Sequence, residues 1–177
     1  MLLLLSVLVG CDEASAPVAV ADAEVDAGWT GVVTVADVER WAPVGAGADP
    51  FADRPDAVSC PAHGYRPEVT LFEVQTDVCR YATFAQAVPV ALRAGDVLRT
   101  TVWHLNLWAG EPAEAHLALR IGDVALWEVF VAIPSREAAY PIEVALPVDV
   151  AAGTPLYFHL HNHGANSYRL LAVEAVR

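Results

Sequence analysis

Short apolar segments alternate with turn residues along most of this chain of 177 residues. Beyond Trp29 the segments are rich in Val, Leu and aromatic residues, and turn residues separate them about every ten positions. This spacing, without a long helical period, predicts an all-β antiparallel β-sandwich of eight or nine strands. The predicted strands are residues 31–41, 69–75, 78–86, 97–107, 115–121, 124–133, 140–146, 156–163 and 168–176.

Two segments of the chain, residues 89–98 and 147–156, resemble each other. Each runs from Pro through aliphatic residues to an Ala-Gly pair and then into a predicted strand. Because side chains alternate between the faces of a strand, the two following strands can be compared position by position. The more apolar positions, expected to face inward, are Leu98, Thr100, Val102 and His104 with Leu156, Phe158, Leu160 and Asn162. The positions expected to face outward are Arg99, Thr101 and Trp103 with Tyr157, His159 and His161.

The first eleven residues resemble the lipobox of bacterial lipoprotein signal peptides. An apolar stretch leads into Leu8-Val9-Gly10-Cys11, and the sequence then turns polar. The resemblance implies a signal peptide over residues 1–10, lipidation of Cys11, and a membrane partner reached through the lipid anchor. The expected location is the bacterial cell envelope, facing the periplasm or the cell surface.

Residues 11–28 are predicted to be an acidic, flexible linker between the anchor and a domain over residues 29–177. They contain five carboxylates and neither a basic nor an aromatic residue, so little apolar surface offsets the entropy of ordering them. The whole chain carries a net charge of −12, and the five linker carboxylates leave −7 on the domain. Its ten cations are all Arg, and so acidic a chain is not expected to bind nucleic acid.

Cys60 and Cys79 form an even pair in a chain that is predicted to be exported. An oxidising compartment favours a disulfide between them, in a segment rich in Pro and Gly where regular structure is sparse. A metal site is the competing interpretation, although a second Cys pair at zinc-binding spacing is absent from the sequence.

The strand pattern over residues 69–177, with its two Ala-Gly turns and a closing turn at residues 162–166, resembles jelly-roll carbohydrate-binding modules and galactose-binding-like folds. That resemblance implies a jelly-roll sandwich with a non-catalytic binding function. A saccharide, or another protein of the envelope, is the partner expected from it.

Outward-facing aromatic and polar residues on the two compared strands are the predicted ligand surface. A ring beside oriented hydrogen-bonding groups suits stacking on a sugar. A buried role for Trp103 stays open, because a change of register would place it in the core. The predicted surface consists of Arg99, Trp103, Tyr157, His159 and His161.

Histidines at alternate positions of one strand suggest a metal site as an alternative function. His159 and His161 lie on the same face of their strand, and His116 faces outward if Leu117 and Leu119 line the core. Three imidazoles would suit Zn²⁺ or Cu²⁺, but half-exposed histidines that bond neighbouring loops explain the pattern equally simply. Neither a Gly-x-Ser-x-Gly motif nor a phosphate-binding glycine loop is present, so the chain is expected to be neither an enzyme nor a cofactor-binding protein.

Overall fold

The computed structural model describes residues 29–177, which fold into two antiparallel sheets and three single-turn 3₁₀ helices. The predicted lipidation site Cys11, with the signal peptide and the linker, lies outside these residues. The 3₁₀ helices are Val38–Arg40, Ala46–Ala48 and Ala62–Gly64. Within the described residues, none of the helices is long and apolar enough to cross a membrane.

Twelve strands build the two sheets. The seven-stranded sheet contains β1 (Val32–Ala36), β3 (Tyr65–Glu68), β4 (Leu71–Gln75), β6 (Val97–His104), β9 (Ala138–Ala145), β11 (Ser167–Leu171) and β12 (Val173–Val176). The five-stranded sheet contains β2 (Ala42–Pro43), β5 (Tyr81–Ala87), β7 (Ala113–Ile121), β8 (Val124–Ile133) and β10 (Pro155–His161), in the order β2-β5-β10-β7-β8. The predicted antiparallel β-sandwich is confirmed.

One apolar core fills the space between the sheets. Phe72 of β4 and Phe84 of β5 are fully buried and meet edge to face, with ring centroids 4.9 Å apart. Trp41 packs between Phe72 and Phe158 of β10, which joins the two sheets through aromatic contacts. The alternation of apolar positions predicted these inward faces, because a sheet buries every second residue.

Two differences from the predicted strands have local causes. Strand β3 was not predicted, since it contains Arg66, Pro67 and Glu68 and lies at an edge of its sheet, where Pro and charged residues are tolerated. The last predicted strand is divided at Ala172 into β11 and β12, which pair with different parts of β6.

The predicted Cys60–Cys79 disulfide is present. It ties the irregular segment before the helix Ala62–Gly64 to the fully buried Cys79, two residues ahead of β5. A bonded sulfur is no longer the thiolate that a metal needs, so the alternative of a metal site at these cysteines is wrong.

The two similar segments meet side by side in the structure. Leu92 and Val150 exchange both backbone hydrogen bonds, at 2.8 and 2.9 Å, in an antiparallel bridge. Gly95 and Gly153 occupy equivalent turns with φ of 93° and 88°, a left-handed conformation that favours glycine. The first turn leads into β6 of one sheet and the second into β10 of the other, so the sequence similarity relates strands of opposite sheets.

Candidate functional site

The five residues of the predicted ligand surface lie on opposite sides of the molecule. Arg99 and Trp103 belong to β6 of the seven-stranded sheet, whereas Tyr157, His159 and His161 belong to β10 of the five-stranded sheet. The inward and outward faces of both strands were predicted correctly. The single surface is wrong, because the outward faces of two opposed sheets point away from each other.

One ring face of Trp103 is covered by a neighbour on the seven-stranded sheet. The guanidinium of Arg169 lies over its ring, 4.5 Å from the centroid. Arg169 is held there by an ion pair of 2.6 Å with the buried carboxylate of Glu73. Arg99 pairs with Glu143 at 3.1 Å. These contacts pair the charged side chains within the sheet and cover one ring face of Trp103.

The outer face of the five-stranded sheet carries an aromatic and histidine row across four strands. Register pairs His161 with Tyr81 on one side and with His116 on the other, and His116 pairs with Phe130. The imidazole of His116 is stacked on the Phe130 ring at 4.5 Å, with the planes 8° apart. The prediction that His116 faces outward is confirmed, since Leu117 and Leu119 are buried in the core.

A loop before the disulfide, residues 49–54, covers one end of this sheet face. Phe51 stacks on the imidazole of His159, with centroids 4.0 Å apart. Asp49 accepts hydrogen bonds from the hydroxyls of Tyr81, at 3.0 Å, and Thr83, at 2.9 Å, which fastens the loop to β5. His159 is therefore fully buried although it points away from the core.

Asp53 of this loop lies at the centre of a histidine cluster. Its Oδ2 atom is 3.1 Å from Nδ1 of His116, 3.4 Å from Nε2 of His159 and 3.0 Å from Nδ1 of His161. The three histidines named from the sequence are thus brought together, and by a residue that the sequence analysis did not name.

Burial and nearby charges shift the pKa values of two of these groups, His159 and Asp53. Burial lowers the pKa of His159 to about 4, against the partial compensation of the Asp53 charge, so this imidazole is neutral near pH 7. Partial burial by itself would raise the pKa of Asp53. Hydrogen bonds from His116 and His161, together with the nearby His159, bring it down to about 2.

A cleft of about 600 Å³ opens beside the cluster. Asp53, His116 and His161 form one part of its wall, and the ring of Phe130, whose side chain is 55% exposed, forms another. The remaining polar groups of the wall are Glu111, Glu114 and His163. The cleft therefore combines an exposed ring with carboxylates and imidazoles that can hydrogen-bond a ligand.

Phe51, Asp53 and Phe130 are among the residues of the site that were not found from the sequence. Phe51 and Asp53 lie in a segment rich in Pro, Asp and Gly, which has no periodicity to show where its side chains point. Phe130 shares its face of β8 with Glu128, but every other residue of this strand is apolar, so the pattern separates Phe130 from the core only weakly. An exposed ring of this kind is recognised only once the neighbouring strands are known.

Comparisons with known proteins give distant structural likenesses. A scan against protein-family models matches none, and a search of curated proteins finds no match. The chain is similar to a solved CBM4 structure, with 10% identity over 79% of this chain and 88% of that one and a TM-score of 0.44. It is similar to the K3 cleaved adhesin domain of Lys-gingipain from Porphyromonas gingivalis W83, with 13% identity over 81% and 94% and a TM-score of 0.44. It is also similar to a family 11 carbohydrate-binding module from Clostridium thermocellum, solved with a mixed-linked tetrasaccharide, with 13% identity over 84% and 97% and a TM-score of 0.40.

Proposed function

We propose that this chain is a lipid-anchored module of the bacterial cell envelope that binds a neutral saccharide in the cleft beside Phe130, without catalysing a reaction. The observation that carries the proposal is the Phe130 ring. One side of it is stacked on His116, and more than half of the side chain is exposed at the wall of the cleft. An exposed, immobilised ring offers a flat apolar surface on which the CH groups of a sugar can pack.

The polar groups of the cleft complement this ring. Glu111 and Glu114 accept hydrogen bonds, and the imidazoles of His161 and His163, with centroids 5.5 Å apart, present further nitrogen atoms. Sugar hydroxyls both donate and accept, so they suit such a mixed set. The carboxylates of the cleft and the charge of −7 on the domain disfavour an anionic polymer, which selects neutral saccharides.

Trp103 supplies the matched control for this proposal. It is an aromatic residue on the outer face of the other sheet, and Arg169 already covers its ring. Binding should be measured on a glycan array and then by calorimetry, with neutral and anionic oligosaccharides and with the variants Phe130→Ala and Trp103→Ala. We expect binding to neutral glycans only, weakened at least about tenfold by Phe130→Ala and unchanged by Trp103→Ala. Binding that survives Phe130→Ala, or a panel in which only anionic glycans bind, would overturn the assignment.

The envelope location rests on the lipobox resemblance of Leu8-Val9-Gly10-Cys11. Acyl chains on Cys11 would hold the protein at a membrane through burial of their methylene groups. Detergent-phase partitioning of the Cys11→Ser variant tests this part separately. We expect the wild type in the detergent phase and an unacylated variant that is no longer processed. Identical processing and partitioning of the two proteins would remove the anchor from the proposal.

A further inference from the structure

The protonation of His159 follows from its hydrogen bonds. The Thr83 hydroxyl has one hydrogen, and it donates this hydrogen to the Asp49 carboxylate at 2.9 Å. Its oxygen, 3.0 Å from Nδ1 of His159, must then accept a hydrogen bond from that nitrogen. Nε2 of His159 is then the nitrogen that is available to a ligand, and it points at Oδ2 of Asp53, 3.4 Å away. This nitrogen belongs to a fully buried side chain.

His116 repeats this arrangement from the neighbouring strand. Its Nε2 atom lies 2.7 Å from Oε1 of Glu128, a carboxylate that can only accept, so Nε2 carries the hydrogen. Its Nδ1 atom lies 3.1 Å from the same Oδ2 of Asp53. Two imidazole nitrogens and one carboxylate oxygen therefore converge on one point.

A metal ion at this point would be bound by all three groups. One ligand atom from each of Asp53, His116 and His159 lies within 4.8 Å of the other two. Tetrahedral Zn²⁺ with bonds of about 2.0–2.1 Å places its ligand atoms about 3.3 Å apart, and the two distances from Asp53, 3.1 and 3.4 Å, are close to this value. We propose that Asp53, His116 and His159 bind a divalent transition-metal ion of the zinc class at the edge of the cleft.

The surrounding residues hold these ligands in place. Stacking on Phe51 and Phe130 fixes the planes of the two imidazoles. Thr83 and Glu128 fix their tautomers, and His161, whose Nδ1 lies 3.0 Å from Asp53, positions the carboxylate by donating to it. Outer hydrogen bonds of this kind orient metal ligands and raise their basicity. His161 and Thr83 are positioning residues in this assignment.

The donor set selects the class of metal. Two imidazole nitrogens suit Zn²⁺ and Cu²⁺, whereas Mg²⁺ and Ca²⁺ prefer oxygen ligands alone. Three protein ligands leave a further coordination position, and the cleft wall that contains Asp53 and His116 allows water to occupy it. This site does not depend on the saccharide proposal, since the metal can bind whether or not a sugar occupies the cleft.

Metal titration of the purified, chelator-stripped protein tests the site. Calorimetry with Zn²⁺, and visible absorption with Co²⁺ as a spectroscopic substitute, should show one ion per chain, while Mg²⁺ and Ca²⁺ should not compete. His63→Gln is the matched control, because His63 is an exposed histidine on the 3₁₀ helix Ala62–Gly64, outside the cluster.

The variants distinguish the site from surface binding. Asp53→Asn and His116→Gln should each weaken Zn²⁺ binding at least about tenfold, and Thr83→Val about 10–100-fold through the orientation of His159. His63→Gln should leave one ion bound with the wild-type affinity. Circular dichroism of each variant verifies the fold, and His116, at the rim, can be replaced with less risk to folding than buried His159. A wild type that binds no Zn²⁺, or Asp53→Asn and His116→Gln variants that bind as the wild type does, would overturn the assignment.

Discussion

The outer faces of the two sheets both carry a carboxylate beside aromatic residues, but the partners of the two carboxylates differ. On the seven-stranded sheet, the buried carboxylate of Glu73 receives Arg66 and Arg169, each at 2.6 Å, and Arg169 also covers Trp103. The carboxylate there is compensated by two cations of the protein itself.

On the five-stranded sheet, the carboxylate of Asp53 is surrounded by imidazoles. Their other nitrogens are bonded to Thr83 and Glu128, so the remaining nitrogen of each of His159 and His116 faces the carboxylate. Such a cluster of nitrogen and oxygen atoms binds a cation, either a proton or a metal ion. The difference teaches that the pairing of polar groups, more than their identity, separates a structural surface from a binding site.

The largest expected effect comes from the seven-stranded sheet. Glu73→Gln removes the charge that compensates Arg66 and the largely buried Arg169. Leaving a buried cation unpaired should lower the free energy of unfolding by about 3–5 kcal/mol, with or without Zn²⁺. Chemical denaturation of the wild type and the variant measures this decrease in the free energy of unfolding. Glu143→Gln is the control: its pair with Arg99 is exposed and should contribute less than about 1 kcal/mol. Equal effects of the two variants would contradict this comparison.

A smaller effect is expected at the start of β6, a strand inside the seven-stranded sheet. Asp96, just before β6, accepts from Nε and Nη2 of Arg177 at 2.9 and 2.6 Å, and these bonds hold its pKa below 3.8. A pKa that is lower in the folded than in the unfolded state stabilises the fold above about pH 3.8 and ceases to do so as the pH falls through the folded-state value.

Asp96→Asn should therefore lower the free energy of unfolding by about 2 kcal/mol near pH 7, through loss of a charged hydrogen bond. The gap between variant and wild type should narrow as the pH falls below about 4. Urea denaturation across this pH range measures the gap. A gap that is constant down to pH 2 would show that the Asp96 charge does not contribute.

Much of the fold could be predicted because apolar and polar residues alternate along a strand that buries one face. Local pattern predicted the two Ala-Gly turns and the inward positions of Leu98 and Phe158, and the expectation of export predicted the Cys60–Cys79 disulfide. Alternation identifies which face of a strand is buried. It does not identify the sheet to which the strand belongs, which is why the outward residues of β6 and β10 were assigned to one surface.

The site itself required contacts between residues distant in sequence. Asp53 lies 106 residues from His159 and 63 from His116, and it reaches them only because the loop folds back over the sheet. The histidines could be named, since their spacing on β10 shows a common face. The loop has neither periodicity nor a motif. Nothing in the sequence therefore indicates that the Asp53 carboxylate contacts these histidines.

The smallest effect on stability is expected from Glu128→Gln, the same chemical change as at Glu73 made on the opposite sheet. Glu128 is 56% exposed and bonds the Nε2–H of His116 at 2.7 Å, so water replaces much of what the charge contributes. The metal-free variant should lose less than about 1 kcal/mol of unfolding free energy. Its amide oxygen still accepts from His116 but no longer raises the basicity of the imidazole, so Zn²⁺ affinity should fall about tenfold. Denaturation and calorimetry on one preparation separate the two effects. A large loss of stability without a change in affinity would mean that the five-stranded face, like the seven-stranded one, is built for the fold and not for a ligand.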